Sequence, residues 1–400
     1  MYTLGRKGDV YMEPVMDLSK EYGIVLEGGG AKGAYQIGAW KALREAGIKV
    51  KGVAGTSVGA LNGAFICMDN IEKAEYVWSN ISYSNVMDVD DHVMKDLMDG
   101  NLPFWESLTT AFKTFSEGGV VIDPLKDLIK EYIKEEEVKN SPIEFFVLTF
   151  DMDKWKELDI DMKAVEEGHM QDFLLASAYL FPLFKNEKIR GKTYIDGGAI
   201  NNVPLGSLIE RGYEDIIMIR IFGVGREKHV KIPGETTVYS IEPRVKLGNM
   251  LNFDADKSKR NMKIGYYDAK RLIYGLAGKI YYIEENEEEC YYLKQLVSIG
   301  NEQMKILMDH YHMNNEESLY IRNLMEGILP TVAAEFKLSR SWTYRELYLA
   351  ILEATAKICR VPKYHIYTME ELAGKVKERM YKLGADKLEE FPVFVRFFVD

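Results

Sequence analysis

Residues Tyr22–Asn62 read YGIVLEGGGAKGAYQIGAWKALREAGIKVKGVAGTSVGALN, and this stretch decides the fold. Two apolar runs, Tyr22–Leu26 and Val50–Ala54, each lead into a glycine-rich turn. The first turn is Gly28-Gly29-Gly30-Ala31-Lys32-Gly33 and the second is Gly55-Thr56-Ser57-Val58-Gly59. A helical pattern follows each. Ala34–Ala46 puts Tyr35, Ile37, Trp40 and Leu43 at core spacing, and Gly47 is a natural C-cap. Val58–Met68 is small-sided and apolar enough for burial. Strand, tight turn and helix, repeated, is the grammar of a parallel α/β sheet.

Outward from this stretch, the first 20 residues show no periodicity, Glu72–Ser79 reads as helix, and Asn80–Gly119 is irregular. Asp123-Pro124 predicts a helix start, with Asp at the N-cap and Pro at N1. That helix is expected to run to about Glu136 and bury Leu125, Leu128, Ile129, Tyr132 and Ile133. Glu144–Thr149 reads as a strand with Lys154–Ile160 as its neighbour, and Gln171–Tyr179 as a short helix before Phe181-Pro182-Leu183-Phe184. Thr193–Ile195 leads into Asp196-Gly197-Gly198; Leu205–Arg211 is helical and Asp215–Ile221 a buried strand. After about Gly275 the pattern changes. An acidic run, Glu284–Glu289, precedes helical stripes that include Leu296, Met304, Leu307 and Met308, and later Leu347, Ile351 and Leu352. Strand alternation is suggested there only at Pro392–Val399.

The chain has 400 residues, 47% hydrophobic and 28% charged, with a net charge of -11. This composition suits a soluble α/β domain with an appended smaller region. The negative balance argues against nucleic acid as a partner, because a phosphate backbone needs a basic face. Contact with a membrane surface through apolar groups remains compatible with it. Cys67, Cys290 and Cys359 are widely spaced and lack a CxxC pattern, as expected for reduced thiols. The N-terminal residues contain no apolar signal-peptide core, and no apolar run is long enough to span a bilayer, so a cytoplasmic location is expected. Secretion without a signal would read the same. Oligomeric state is not legible.

Gly28, Gly30 and Gly33 fit GxGxxG, but no carboxylate ends the second strand to hold a ribose hydroxyl. GxxxxG counted from Gly28 reaches Gly33, but Ala34 follows where a phosphate-binding loop needs Lys. A nucleotide is therefore not expected. Gly55–Gly59 fits GxSxG, a sharp strand-to-helix turn that pushes the Ser57 hydroxyl outward as a nucleophile. The alternative is a packing turn in which Ser57 only caps the helix. A serine nucleophile needs a base. Asp196 sits in a glycine turn after a short apolar run. Among six histidines only His229 closely follows it, inside the charged segment Arg226-Glu227-Lys228-His229. Asp196 acting directly on Ser57 is favoured over a His229-assisted triad, provided that desolvation raises its pKa. Its structural alternative is a turn aspartate that bonds its own backbone. The Gly28, Gly29 and Gly30 amides are expected to hold the oxyanion, with Lys32 adding charge or bracing the loop.

These motifs together resemble the patatin-like phospholipase (patatin-like acyl hydrolase) family. GGGxxG with a basic residue before its last Gly corresponds to Gly28–Gly33 with Lys32; GxSxG corresponds to Gly55–Gly59, and DG[GA] to Asp196-Gly197-Gly198. Ala176-Ser177-Ala178 through Pro182 and Phe184 resembles the family's small-residue helix and proline turn. The resemblance covers roughly Tyr22–Leu272. It implies a three-layer fold with a mainly parallel central sheet flanked by helices, a Ser57-Asp196 dyad, no metal or cofactor, and hydrolysis of acyl esters, usually of lipids. Tyr179-Leu180-Phe181, bulkier than is usual for the family, is expected to shape the acyl pocket. The expected organisation is an extension over 1–21, the acyl hydrolase domain over 22–272, and a mostly helical region over 273–400. A small-substrate esterase or thioesterase with the same dyad is the rival enzyme. A membrane- or partner-binding protein with a vestigial site is the rival from another class.

Overall fold

The structure is a computed structural model and describes residues 12–100, 121–179, 188–189 and 191–399. The expectations for Phe181-Pro182-Leu183-Phe184, for Leu180 and for residues 1–11 and 101–119 lie outside these residues. The chain divides into two compact units, Met1–Tyr274 and Gly275–Asp400.

In the N-terminal unit β1 (Glu21–Leu26), α1 (Ala34–Glu45), β2 (Lys49–Thr56) and α2 (Val58–Cys67) follow in the expected order. Then come α3 (Ile71–Ser79), α4 (Asp91–Asp99), α5 (Asp123–Tyr132), α6 (Glu135–Asn140), β3 (Glu144–Asp151) and β4 (Lys156–Asp161). The unit ends with α7 (Met170–Ser177), β5 (Tyr194–Asp196), α8 (Leu205–Ile209), β6 (Asp215–Ile219), β7 (Thr237–Ile241) and α9 (Ala255–Tyr274). The sheet runs β4-β3-β2-β1-β6-β7, with β5 also paired to β3. The β3-β2, β2-β1, β1-β6 and β6-β7 pairs are parallel; β4 and β5 run antiparallel to β3.

Alternation along the strands builds the layers. On β2 and β3, Val53 and Phe145 face Gly63 of α2. Their neighbours Ala54 and Phe146 cluster instead with Val203, Leu208 and Ile216 beneath α8. Adjacent strand residues point to opposite faces, so α2 and α8 cover opposite sides of the sheet. Helix α9 crosses α1 so closely that a Cβ on Gly265 would stand 1.9 Å from the Tyr35 carbonyl oxygen, and one on Gly38 1.8 Å from that of Met262.

Several expectations change. Ile122, not Asp123, occupies the N-cap of α5, and Asp123 is its first helical residue. That helix stops at Tyr132, because Ile133 and Lys134 are extended, and α6 starts afresh. Residues 80–100, read as irregular, hold α4, none of whose residues is buried. Strand β7 was not foreseen; it is an edge strand with few buried positions.

The C-terminal unit contains β8 (Tyr282–Glu284), α10 (Glu289–Val297), α11 (Asn301–His310), α12 (Tyr320–Asn323) and α13 (Leu329–Glu335). After these come α14 (Tyr344–Ile358), β9 (Ile366–Thr368), α15 (Met369–Leu383) and α16 (Ala385–Leu388). A π-helical segment, Leu324–Ile328, joins α12 to α13 just before Pro330, which has no N–H to give an α-helical ladder. The expected stripes pack into this unit's own core, where Leu296, Leu307, Met308, Leu347, Ile351 and Leu352 are fully buried. The suggested strand at Pro392–Val399 is a 3-10 helix over Val393–Phe398. Its buried Val395 and Phe398 are three residues apart, the 3-10 period. Strands β8 and β9 form a parallel pair too short to show alternation. No helix among the described residues is long and apolar enough to cross a membrane.

Gly265→Val is expected to force α9 away from α1 and to cost about 1–3 kcal/mol, the usual range for overpacking. A lowered urea midpoint at an unchanged slope would register it; a midpoint equal to wild type would refute the close crossing.

Candidate active site

Strand register brings Ser57 and Asp196 together. The β2 pairing along β3 ends with Thr56 opposite Leu148. The β5 pairing begins at the next β3 residue, with Thr149 opposite Asp196. One strand thus leaves the edge of β3 where another arrives, and the residue after Thr56 meets the last residue of β5.

Ser57 takes φ 56 and ψ -125, a conformation L-residues rarely adopt. Such strain persists only where the surroundings enforce it. The close fit of the following turn does so: a Cβ on Gly59 would lie 2.3 Å from the Leu26 carbonyl oxygen. The Ser57 amide donates to Ser177 Oγ at 2.9 Å, and Ser177 Oγ donates to the Leu148 carbonyl at 2.5 Å. The Ser57 hydroxyl makes no capping bond to α2, so the helix-cap alternative fails. It shares one cavity with Asp196, where the nearby hydroxyl favours the charged form of the carboxyl.

Asp196 is 6% exposed. Burial pushes its carboxyl up to about 6, against the opposing pull of the nearby Ser57 hydroxyl and of the Gly198 amide. The Gly198 bond, at 2.7 Å, is the local turn bond foreseen as the structural alternative. It holds the carboxylate in place beside Ser57 in the same cavity. The Asp196 amide donates to the Tyr179 carbonyl at 2.8 Å, so Tyr179 positions the turn through its backbone while its side chain is buried.

The expected set of three glycine donors narrows. The Gly28 amide donates to the Asn202 carbonyl at 3.1 Å and is not free for an oxyanion. The Gly29 and Gly30 amides have no protein acceptor among the described residues. Of the three glycines, Gly30 lines the cavity that contains Ser57 and Asp196. Its φ of 55 and a carbonyl oxygen of Met250 only 2.2 Å from a hypothetical Cβ both demand glycine. Val58 opens α2, so helix geometry leaves its amide without an intrahelical acceptor, beside Ser57. Lys32 does not line the cavity; its ammonium donates to the Phe222 carbonyl at 2.5 Å, and burial lowers its pKa. Lys32 braces the loop. His229 is exposed and outside the cavity lining.

Sequence reasoning missed the supports. Buried Glu27 accepts from the Ile221, Phe222 and Gly223 amides at 2.8–3.1 Å and from Arg220 Nε at 2.9 Å. This ties the first glycine turn to the loop after β6. Asn62 donates to the Gly33 carbonyl at 2.9 Å and accepts from Trp78 Nε1 at 3.0 Å, which links the two glycine turns. An acid directly before three glycines, and an amide inside an otherwise apolar helix, were the available signals. The cavity walls are otherwise mainly apolar, with Leu61, Phe65, Leu125, Leu128, Leu251 and Phe253 among them.

Residues 24–209 match the family model described as patatin-like phospholipase. This segment is a patatin-like phospholipase domain. Among its relatives, patatin-like phospholipase domain-containing protein 7 of Mus musculus is 27% identical over 50% of this chain and 13% of its own length. Lysophospholipase NTE1 of Cryptococcus neoformans is 27% identical over 51% of this chain and 11% of its own. The chain thus spans a small part of the relatives it matches. The crystal structure of VipD from Legionella pneumophila aligns with 97% of this chain and 92% of its own, at a TM-score of 0.41 and 13% identity. The patatin-like domain holds Ser57 and Asp196 within its matched limits.

Two outcomes follow from the geometry. Ser177→Ala in the patatin-like domain strands the Ser57 amide and the Leu148 carbonyl and should cost about 1–3 kcal/mol in urea denaturation. Asp196 titrates near 3.8 unfolded and about 6 folded, so between those values the native state holds a proton the unfolded chain has released. Its ionisation therefore lowers stability as pH rises through this window. Asp196→Asn should be more stable than wild type at pH 7 by roughly 2–3 kcal/mol, with the gap closing near pH 4. Equal melting temperatures at both pH values would show that Asp196 is not held in a desolvated site.

Proposed function

We propose that the N-terminal unit hydrolyses acyl esters of lipids, in the manner of a phospholipase A or lysophospholipase, with Ser57 as nucleophile and Asp196 as its base. The observation that carries this reading is the placement of Ser57 and a desolvated Asp196 together at a mainly apolar cavity. The Asp196 carboxylate takes the hydroxyl proton as Ser57 Oγ attacks the ester carbonyl. The oxyanion faces the Gly29, Gly30 and Val58 amides, at helix ends where partial positive charge favours it. Collapse expels the alcohol, which takes the proton from Asp196, and leaves an acyl-enzyme. Water then gives a proton to Asp196 and its oxygen to the acyl carbon. Release of the fatty acid returns the proton to Ser57 Oγ.

The apolar walls favour a long acyl chain over a small ester, because burying each further methylene contributes about 0.8 kcal/mol. The names of the relatives, phospholipase and lysophospholipase, point the same way. Direct attack by a serine-aspartate pair requires a base of raised pKa, and Asp196 at about 6 meets that need.

A phospholipid panel assayed by released products is expected to yield fatty acid with wild type. Ser57→Ala and Asp196→Asn should each lose at least about a thousandfold. Turnover should rise with pH through about 6 as Asp196 ionises. A fluorophosphonate should label wild type and not Ser57→Ala. Full activity of Ser57→Ala on a nitrophenyl acyl ester would overturn the mechanism, and a preference for acetyl over long-chain esters would overturn the lipid.

A further inference from the structure

The geometry points to a second ligand site, in the C-terminal unit: a basic groove that binds a phosphate-bearing anion. The groove measures about 760 Å³, within the range of small-molecule sites. It lies where the C-terminal end of α14 meets the C-terminal half of α15. Arg360, Lys375, Arg379, Lys382 and Lys387 line it, and among the described residues Glu378 is its one acidic lining residue.

Five cations in one concavity are unusual in a chain of net charge -11. They repel one another, and an acid nearby is the ordinary remedy. Two have that remedy: Lys382 pairs with Glu378, and Lys375 stands 3.6 Å from Glu371. Arg360, Arg379 and Lys387 make no ion pair within 4 Å among the described residues, and Arg379 shares the single nearby Glu378 carboxylate with Lys382 and Lys375, so the lining keeps an excess of positive charge. A planar guanidinium matches phosphate oxygens in pairs, and lysine supplies point charge.

The placement is specific. Lys375, Arg379 and Lys382 recur at i, i+4 and i+7 on α15, so one helix face carries all three. Arg360 follows Cys359, the C-cap of α14, and takes φ 53. That position after a helix favours glycine. An arginine there accepts a left-handed backbone and is one of the residues that line the groove.

The shared chemistry is a doubly charged phosphate group, supplied by a soluble polyphosphate or by a phosphomonoester lipid headgroup. The inference goes beyond the hydrolase reading and does not rest on it, since its test measures binding and not turnover. Inorganic tripolyphosphate would be titrated calorimetrically into the full chain. The chain would also be sedimented with phosphatidylcholine vesicles with and without phosphatidic acid. Saturable binding that weakens with salt is expected, with about a tenfold loss in Arg360→Gln/Arg379→Gln. Lys294→Ser/Lys305→Ser removes equal charge from exposed surface of the same unit and should change nothing. Vesicle recruitment that needs phosphatidic acid and is lost in the arginine variant assigns the lipid source. Tripolyphosphate binding without recruitment assigns the soluble one. The site is refuted if neither probe binds, or if both double variants weaken binding equally. Should the arginine variant melt early, Lys375→Ser/Lys382→Ser reads the same groove and must show the same loss.

Discussion

Everything at the candidate site depends on one exchange of partners along β3. Strand β2 can pair only as far as Thr56, because Ser57 must turn out of the sheet. The vacated edge would leave β3 backbone groups without ladder bonds, and such groups are costly when buried. Strand β5 fills that edge from Thr149 onward in the opposite direction and ends at Asp196. Hydroxyl and carboxylate therefore meet because two strands share one edge, not because either loop reaches for the other. Ser177 fastens the junction: its hydroxyl bonds both the Ser57 amide and the Leu148 carbonyl, the last β3 position opposite β2.

The same junction sets the electrostatics. Asp196 lies where sheet, α2 and α7 close around it, and burial is the largest influence on its carboxyl. The Gly198 amide bond and the nearby Ser57 hydroxyl keep it from being an orphan charge and leave it titrating at about 6. A solvated aspartate would be a poor base, and one buried without donors would stay protonated near neutral pH. Ionising a desolvated group gives up stability, a trade often found at functional sites.

Much of this was legible in the sequence, and the boundary of legibility is physical. The β1–α2 stretch was readable because glycine turns and buried apolar runs are local signals, and Ser57 and Asp196 sit in motifs of their own. Their meeting was not local: it comes from a β3–β5 register formed across more than forty residues, for which the sequence gives no period. The Gly28 amide illustrates the same limit. Three adjacent glycines look equivalent until Asn202, far along the chain, takes one of the three amides. Glu27 and Asn62 escaped notice because a buried polar side chain is intelligible only once its donors are known. In the C-terminal unit, Pro392–Val399 alternates like a strand, yet a 3-10 helix buries Val395 and Phe398 just as well.

Lys32 shows why that network matters to the chemistry. It is the one cation in the first glycine turn, and an ammonium close to Asp196 would favour the carboxylate and lower its basicity. Glu27 prevents this indirectly. By accepting three successive amides it fixes the loop from Ile221 to Gly223 and presents the Phe222 carbonyl to Lys32. The lysine is held on the loop after β6, outside the cavity lining, where it braces the turn without adding charge beside the carboxylate. No Lys or Arg lines the cavity among the described residues. Its walls stay mainly apolar while Asp196 keeps the pKa that its burial sets.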